Sequence, residues 1–307
     1  MKIAVTGGAG FIGSHIVDAY IDQGHEIVIL DNLSTGKKEN INPKAKFIEI
    51  DISSPDVSSV FEKEKFDVLN HHAAQIDVRI SVDDPIFDAR TNILGSLNLF
   101  DNCKKTGVGR IIFASSAGTV YGDQEYFPAD EDHPKLPISP YGIAKYTCEN
   151  YINYYSMTYG IKKSILRYTN IYGPRQNPHG EAGVVAIFAN RMLAKQKAVI
   201  NGDGTFTRDY VFVGDVVKAN VLALNDDFNG AYNVATAVEN DVNFIFRTLK
   251  EFTSSGIEEI HGPAKTGETQ RSVCSYNKIN KDHGWQPEID FKTGLGLTVD
   301  WFKSKLK

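Results

Sequence analysis

The fold is decided by residues 3–13, which read IAVTGGAGFIG. An apolar, strand-like run is followed at once by a turn with four glycines and then by an amphipathic pattern that continues to about residue 23. Backbone N–H groups in such a strand–turn–helix junction can approach a pyrophosphate, which the N-terminus of the helix also stabilises. The junction therefore predicts a dinucleotide site, formed by Gly7, Gly10, Phe11, Ile12 and Gly13.

Strand-like and helix-like patterns alternate through the first half of the chain. The apolar, strand-like runs lie at 2–6, 26–31, 46–50, 67–71, 109–115 and 162–168. The helical patterns lie near 11–23, 56–64, 84–105 and 141–159. This alternation is typical of βαβ units and predicts an α/β fold with a doubly wound, mostly parallel sheet.

The character of the sequence changes after residue 170. Pairs such as Gly173-Pro174 and Asn177-Pro178 are typical of loops, and the periodic segments become shorter. We expect a dinucleotide-binding domain of residues 1–170, to which 209–235 returns. We expect residues 171–307 to form a smaller C-terminal α/β lobe that binds the substrate.

Composition and charge argue against several classes of protein. The net charge of −5 gives no reason to expect nucleic acid or an anionic membrane as a partner. No apolar run approaches the roughly 20 residues of a membrane helix. Three cysteines, an odd number, favour a reducing cytoplasm, and a strand that begins at Lys2 leaves no room for a signal peptide. We expect no metal site at His71-His72, since adjacent residues of a strand point to opposite faces of the sheet.

The second apolar run ends in Asp31, about 20 residues after the glycines. A carboxylate at that position suits the two hydroxyls of the adenosine ribose and repels a 2′-phosphate. Residues 32 and 33 are neither Arg nor Lys. The cofactor is therefore predicted to be NAD rather than NADP.

Tyr141 and Lys145 are four residues apart, so they share one face of the predicted helix 141–159. An ammonium beside a phenol favours the phenolate, and we expect Lys145 to lower the pKa of Tyr141 from about 10 towards neutrality. Such a pKa suits a general acid and base for an alcohol. Ser115 and Ser116, at the end of the fifth apolar run, would complete a hydrogen-bond relay. These residues predict hydride transfer between a nicotinamide and an alcohol carbon.

The glycine turn, the Tyr141/Lys145 pair and residues 167–174, which read RYTNIYGP, together resemble the extended short-chain dehydrogenase/reductases. Within them the chain is similar, over essentially its whole length, to the shorter UDP-galactose (UDP-glucose) 4-epimerases. The resemblance implies a Rossmann sheet, an isomerase of galactose metabolism and a tightly held NAD that is not consumed. Tyr141 would take the proton from the sugar O4 while hydride leaves C4. The 4-keto sugar would then receive the hydride on its other face.

The resemblance also implies a set of binding residues. Besides the glycine turn and Asp31, the cofactor residues are Asn32, Asp51, Ile52, Ala73, Ala74, Gln75, Asn92, Ser115, Tyr141, Lys145 and Tyr168. The substrate residues are Ser116, Tyr141, Asn170, Val184, Val199, Asn201, Arg208, Lys265, Glu268, Arg271 and Ser272. Among these, Asn170 and Arg208 would contact the diphosphate, and residues 199–201 would line the uracil.

Three positions depart from the pattern of the family. The catalytic Ser or Thr usually stands four residues before the Tyr of Val-Tyr-Gly, where this chain has Ala117, and we assign its role to Ser116. Lys265 replaces an Arg of the phosphate clamp, and since Lys offers only a point charge, Arg271 is expected to share the task. Ser272 stands where the family controls sugar size, and its small side chain predicts that N-acetylhexosamines are also accepted.

The sequence leaves other functions open. A UDP-uronate 4-epimerase would use the same scaffold with a further basic partner, for which Arg79 is a candidate. A nucleotide-sugar ketoreductase would release its cofactor. A non-catalytic NAD-sensing module would have no need of Tyr141, Lys145 and a serine together. Because the family pairs two helices across a two-fold axis, the resemblance also implies a homodimer through helices 84–105 and 141–159.

Overall fold

The computed structural model describes residues 1–179, 183–264 and 269–306. Its strands are β1 (Lys2–Thr6), β2 (Glu26–Asp31), β3 (Lys46–Glu49), β4 (Val68–His71), β5 (Arg110–Ser116), β6 (Lys162–Tyr168), β7 (Asn170–Tyr172), β8 (Val199–Asn201), β9 (Thr207–Phe212), β10 (Gly230–Val234), β11 (Glu239–Asp241), β12 (Ile260–Gly262) and β13 (Arg271–Ser272). Its α-helices are α1 (Phe11–Asp22), α2 (Val57–Glu64), α3 (Val78–Asp83), α4 (Pro85–Ala89), α5 (Gly95–Thr106), α6 (Ala117–Val120), α7 (Pro140–Tyr159), α8 (Val184–Leu193), α9 (Val213–Leu222), α10 (Val242–Thr253), α11 (Asn277–His283) and α12 (Phe291–Lys305). A short 3-10 turn lies at Lys38–Asn40 and a π-helical turn at Arg90–Leu94.

Seven strands form one sheet in the order β10-β6-β5-β4-β1-β2-β3. Every neighbouring pair from β5 to β3 along this order is parallel. Thr6 of β1 is in register with Leu30 of β2 and with His71 of β4. The predicted doubly wound α/β fold is therefore confirmed. The strand order reverses between β1 and β4, and open sheets of this kind bind ligands at the carboxyl ends of the strands beside such a switch point.

The central strands β1, β2 and β4 are almost completely buried because helices cover a parallel sheet on both faces. Leu69 and Phe113 from the sheet pack in one core cluster with Phe61, Phe100 and Ile152 from the helices. Through this cluster α2, α5 and α7 are held against the sheet. The packing of α7 fixes the position of the residues at its N-terminal end.

The predicted helix 84–105 is interrupted in the structure. Helix α4 ends at Ala89, a π-helical turn follows at Arg90–Leu94, and only then does α5 begin. Single π-turns insert one residue into a helix and are frequent at functional sites. Helix α3, which the sequence patterns did not predict, begins after Asp77, whose side chain accepts the N–H groups of Arg79 and Ile80.

The chain divides into two compact units. The first comprises Met1–Gly122, Pro134–Arg167 and Val217–Tyr232, and the second comprises Asp123–His133, Tyr168–Val216 and Asn233–Lys307. Of the segment 209–235, strand β10 joins the seven-stranded sheet, whereas β9 lies in a second sheet with β7, β11 and β13. The separate functions of residues 1–170 and 171–307 stay a prediction.

The second unit has its own core. Helices α8, α10 and α12 contribute Phe188, Phe246 and Leu295 to a cluster that also contains Ile200 of β8 and Tyr210 of β9. Strand β8 pairs in parallel with β12, which makes a separate two-stranded sheet. The short strands of this unit are thus held on its helices.

None of the described helices combines the length and the apolar character that crossing a bilayer requires. Within the described ranges, no group of three or more His, Cys, Asp or Glu side chains is placed to hold a metal ion. Cys103, Cys148 and Cys274 are all buried, and none of the three forms a disulfide.

Candidate active site

The glycine turn joins β1 to α1 in a geometry that larger residues could not adopt. Gly7 has a φ of +69°, and a Cβ there would lie 2.7 Å from the backbone N of Ala73. A Cβ on Gly13 would collide with the carbonyl oxygen of Gly7, which accepts the N–H of Gly10 at 3.0 Å. Gly10 caps α1, and the first turn of that helix carries no acidic side chain. This bare helix N-terminus fits the pyrophosphate of a dinucleotide.

Asp31 ends β2 at the same edge of the sheet and is 7% exposed. Its carboxylate accepts the N–H groups of Ala9 at 3.0 Å and Leu33 at 2.8 Å. A Cβ on Gly36 would approach the carboxylate to 2.8 Å, so the glycine leaves space beside it. A carboxylate has more acceptor sites than these two bonds use, and the fixed group fits a ribose diol.

Asn32 and Asp51 are joined by a hydrogen bond of 2.8 Å from Nδ2 to Oδ2. Burial would raise the pKa of Asp51, but hydrogen bonds from Ser53 and from Asn32 outweigh it and lower that pKa. The side chain of Ile52 packs in the sheet core and is therefore not available to an adenine ring. The structure thus brings Asn32 and Asp51 together and places the Ile52 side chain in the core, and the cofactor role of Ile52 stays a prediction.

Residues 73–75 continue from β4 past the glycine turn. The hydroxyl of Thr6 accepts the N–H of Ala73 at 3.1 Å. The backbone N–H of Gln75 donates to Asn92 Oδ1, and Asn92 Nδ2 donates to the carbonyl of Gln75, both at 2.9 Å. Asn92 lies in the π-helical turn, so the interruption of the helix places its amide against this backbone. Asn92 and residues 73–75 therefore form one wall, as a cofactor site would require.

Helix α7 presents the predicted catalytic pair. Ser139 is its N-cap and accepts the N–H of Gly142 at 3.2 Å, and Pro140 is its first residue. Pro at this position has the φ of a helix and lacks an N–H that would be unpaired. The Nζ of Lys145 lies 5.7 Å from the centre of the Tyr141 ring, so the structure brings the two side chains together.

The protonation states of this pair differ from the prediction. Lys145 is 5% exposed, and its Nζ donates a hydrogen bond of 2.9 Å to the carbonyl of Ala114. Burial lowers the pKa of Lys145 to about 8. Burial, followed by the charge of Asp88, raises the pKa of Tyr141. The expectation of a lowered Tyr141 pKa was wrong because desolvation of the phenolate and the charge of Asp88 both raise that pKa.

The two serines at the end of β5 have different surroundings. Ser115 is 3% exposed and donates a hydrogen bond of 2.5 Å to Glu149, which pairs with Arg167 at 2.6 Å. The Ser115 hydroxyl therefore belongs to a buried structural network. Ser116 is half-buried at the N-cap of α6 and makes no capping hydrogen bond. Of the two, Ser116 has the hydroxyl that can face a ligand.

The second unit carries most of the predicted substrate residues. Ser272 on β13 is in register with Arg208 on β9 and is 7% exposed. The guanidinium of Arg208 donates to the carbonyl of Thr207 at 2.8 Å. Asn170 begins β7, which pairs with β9, and Tyr168 is buried at the end of β6. The remaining residues are Val184 at the start of α8, and Val199 and Asn201 on β8.

Arg271 has partners that the sequence did not indicate. Its guanidinium forms an ion pair with both carboxylate oxygens of Glu239, at 2.7 and 2.9 Å, and lies 4.0 Å from the centre of the Phe127 ring. A phosphate bound by Arg271 would have to compete with Glu239 for the same N–H groups. Lys265 and Glu268 lie outside the described residues.

Two buried carboxyl groups near the catalytic pair were missed by the sequence reasoning. Glu149 is 2% exposed and Asp88 is 1% exposed. A signal was available, since Asp88 precedes Asn92 by four residues and Glu149 follows Lys145 by four. Residues at that spacing share a helix face.

Comparison with known proteins agrees with this geometry. Residues 3–235 match the NAD dependent epimerase/dehydratase family. The chain is 40% identical over 311 residues to the UDP-glucose 4-epimerase of Mycolicibacterium smegmatis, with 99% of each chain covered. It is 45% identical to the UDP-glucose 4-epimerase of Thermotoga maritima solved with UDP-glucose, with a TM-score of 0.98 and 100% of each chain covered. It is 42% identical to the UDP-glucose 4-epimerase of Thermus thermophilus solved with NAD, with a TM-score of 0.94 and 99% of each chain covered.

Proposed function

This chain belongs to the NAD dependent epimerase/dehydratase family, and from that premise we propose that it is an NAD-dependent 4-epimerase that interconverts UDP-galactose and UDP-glucose. The observation that carries the proposal is the pairing of the half-buried Tyr141 with the buried Lys145 in the same compact unit as the glycine turn. A phenol beside an amine suits the removal of a proton from an alcohol and its return.

When bound, NAD supplies a hydride acceptor that the cycle regenerates, together with a positive charge on the nicotinamide. The glycine turn and the N-terminus of α1 would hold its pyrophosphate. Asp31 would accept the hydroxyls of the adenosine ribose, and Lys145 would hold the nicotinamide ribose. The Asn92 and Gln75 pair would form the wall beside it.

Tyr141 carries the proton of the reaction. The O4–H and C4–H bonds of the sugar break together, and the proton passes to the Tyr141 oxygen while the hydride leaves C4. Both return in the second half, the hydride to the other face of C4. Because the Tyr141 pKa is raised and the Lys145 pKa is lowered only to about 8, Tyr141 rests as the neutral phenol near neutral pH, where Lys145 is still mostly charged. The positive charge on the nicotinamide would favour the phenolate, which is the form that accepts the O4 proton.

Ser116 is the proposed third group at the reacting hydroxyl. Its side chain is half-buried, whereas the Ser115 hydroxyl is bonded to Glu149. A hydroxyl can donate and accept at once, so it can follow the proton between O4 and Tyr141. Ser116 therefore replaces the residue that the family places one position later.

The substrate roles rest on the second unit. We propose that Arg208 and Asn170 bind the diphosphate and that residues 199–201 line the uracil. Ser272, a small residue next to Arg208 in the sheet register, leaves room for an N-acetyl group. N-acetylhexosamines are therefore proposed as further substrates.

We also propose a homodimer through α7 and the segment from α4 to α5. Tyr151, Tyr154 and Met157 of α7 are 39%, 49% and 85% exposed, and Ile86 and Leu94 are 65% and 57% exposed. A groove of about 340 Å³ is lined by Thr147, Asn150, Tyr151 and Tyr154. Exposed apolar surface of this kind is typical of protein–protein contacts. A cytoplasmic location is proposed as well, supported by three cysteines that form no disulfide.

The uronate alternative is weakened by its candidate residue. Arg79 has a 61% exposed side chain and pairs with Asp77 at 3.2 Å, so its charge is largely compensated. A carboxylate on the substrate would gain little from such a partner.

The proposed function is tested by incubating the purified protein with UDP-galactose or with UDP-N-acetylgalactosamine, without added cofactor. We expect the gluco epimer of each to appear with no net NADH, and the ratio of rates measures the effect of Ser272. Conversion of neither sugar, even after NAD is added, would refute the proposal and favour a uronate epimerase or a ketoreductase.

A further inference from the structure

Asp88 of α4 is the common acceptor of a closed polar cluster in the first unit. It is 1% exposed, and its Oδ1 accepts hydrogen bonds from Gln75 Nε2 and Asn92 Nδ2, each at 2.9 Å. Gln75 and Asn92 are joined to each other through the two amide–backbone bonds described above. Gln75 Nε2 also donates to the carbonyl of Asp77 at 2.9 Å. The wall beside the catalytic pair is therefore built around one carboxylate.

These hydrogen-bond donors are neutral amides, which compensate a buried negative charge only in part. Burial raises the pKa of Asp88, while the hydrogen bonds from Gln75 and Asn92 and the charge of Lys145 act in the opposite direction without cancelling it. The ionised carboxylate therefore lowers the free energy of unfolding. A group kept at such a cost is a candidate for a role in the reaction.

The charge of Asp88 acts on both members of the catalytic pair. It disfavours the phenolate of Tyr141 and favours the ammonium of Lys145. Titratable groups on the elements packed around this region include His71 and His72 at the end of β4, Asp77 before α3, Arg79 and Asp83 of α3, Arg90 of the π-helical turn, and Cys148 and Glu149 of α7.

Lys145 is the charged group whose attraction lowers the Asp88 pKa, and several of the other groups are neutral or paired. Burial lowers the pKa of His72 to about 3 and raises the pKa of Cys148 to about 11, so both are neutral at neutral pH. Burial likewise keeps His71 neutral by lowering its pKa. Glu149 is paired with Arg167, and Asp77 with Arg79.

We propose that Asp88 is a positioning residue of the catalytic site, which fixes Gln75 and Asn92 and sets the charge balance in which Tyr141 and Lys145 exchange a proton. The part that concerns Tyr141 and Lys145 rests on the proposed function. The part that concerns the cluster rests on the hydrogen bonds alone.

The variant Asp88→Asn separates charge from structure. An Asn at position 88 keeps an Oδ1 that can accept both hydrogen bonds, removes the charge and replaces the second carboxylate oxygen by an NH2 group. Because the fold raises the carboxyl pKa above 3.8, the parent loses stability as the pH rises from about 4 through the pKa of the folded state. The melting temperature of Asp88→Asn should therefore match that of the parent near pH 4 and exceed it at pH 7.5, with NAD saturating in both samples. A purely structural carboxylate predicts the opposite at pH 7.5.

The pH profile of kcat is the second measurement. Without the negative charge the phenolate of Tyr141 forms more readily, so the acidic limb of the profile should move to lower pH by about 1 unit. Asp88→Ala, which also removes the acceptor, should in addition lose bound NAD because Gln75 and Asn92 are released. The matched control is Glu62→Gln, which removes one charge from an exposed position on α2 and should change neither measurement.

The outcomes are distinguishable. The inference is overturned if Asp88→Asn is less stable than Glu62→Gln at pH 7.5. It is also overturned if the parent is active and the acidic limb of the kcat profile lies at the same pH in Asp88→Asn as in the parent. A parent with no epimerase activity refutes the proposed function instead, and the comparison of melting temperatures then decides the role of Asp88.

Discussion

Replacing Gly7 by Ala tests how tightly the turn after β1 is built. The residue has a φ of +69°, and a left-handed conformation costs an L-residue about 1 kcal/mol or slightly more. The new Cβ would also lie 2.7 Å from the N of Ala73 and 2.9 Å from the carbonyl carbon of His72. Both are backbone atoms, so relief requires a shift of the chain after β4, and overpacking of this kind costs about 1–3 kcal/mol. We therefore expect Gly7→Ala to lower the free energy of unfolding by about 2–4 kcal/mol.

Gly24 provides the matched control. It has a φ of +81°, and no atom lies within 4 Å of the position that a Cβ would take, so Gly24→Ala loses only the conformational term of about 1 kcal/mol. Urea unfolding of both variants gives the difference, and the NAD that remains bound after gel filtration reports on the site. Gly7→Ala should also lose most of its NAD, whereas Gly24→Ala should keep it. Equal destabilisation by the two substitutions would refute the close approach of the turn to residues 72 and 73.

Four further substitutions follow from the site and the surface. Lys145→Met should lower kcat at least about 100-fold. Lys145→Met should also raise the melting temperature below pH 8, because burial lowers the Lys145 pKa to about 8 and the charged form costs stability there. The difference in melting temperature between variant and parent should shrink between pH 8 and 10.5, and a constant difference would contradict this reasoning. Ser116→Ala should reduce kcat about 10- to 100-fold with little change in stability. Ser115→Ala should instead destabilise the fold by about 1–3 kcal/mol because Glu149 loses a buried donor, as denaturant unfolding would show. Tyr154→Glu should convert a dimer to a monomer in sedimentation, and an unchanged mass would contradict the proposed interface.

The sheet could be predicted because its signals are local. The apolar run of β1, the four glycines after it and Asp31 at the end of β2 lie within one βαβ unit. Spacing along the chain is enough to place them at one edge of a parallel sheet. The same holds for Tyr141 and Lys145, which a single helical turn brings together.

Other features depend on contacts that spacing does not reveal. The raised pKa of Tyr141 follows from burial, which is a property of the folded unit. The ion pair between Arg271 and Glu239 joins residues that are 32 positions apart. The π-helical turn at Arg90–Leu94 lies in a segment whose sequence pattern predicts one continuous helix, and the bonds from Asn92 to Gln75 and to Asp88 become visible only in the folded structure.

The most direct test of the proposed reaction follows the hydrogen on C4. UDP-galactose carrying deuterium at C4 is incubated in ordinary water with the purified protein, and in parallel with Tyr141→Phe as the control. We predict UDP-glucose that keeps the deuterium at C4, and little or no product from Tyr141→Phe. Product that has exchanged its C4 deuterium for solvent hydrogen, or equal turnover by Tyr141→Phe, would contradict hydride transfer with Tyr141 as the proton carrier.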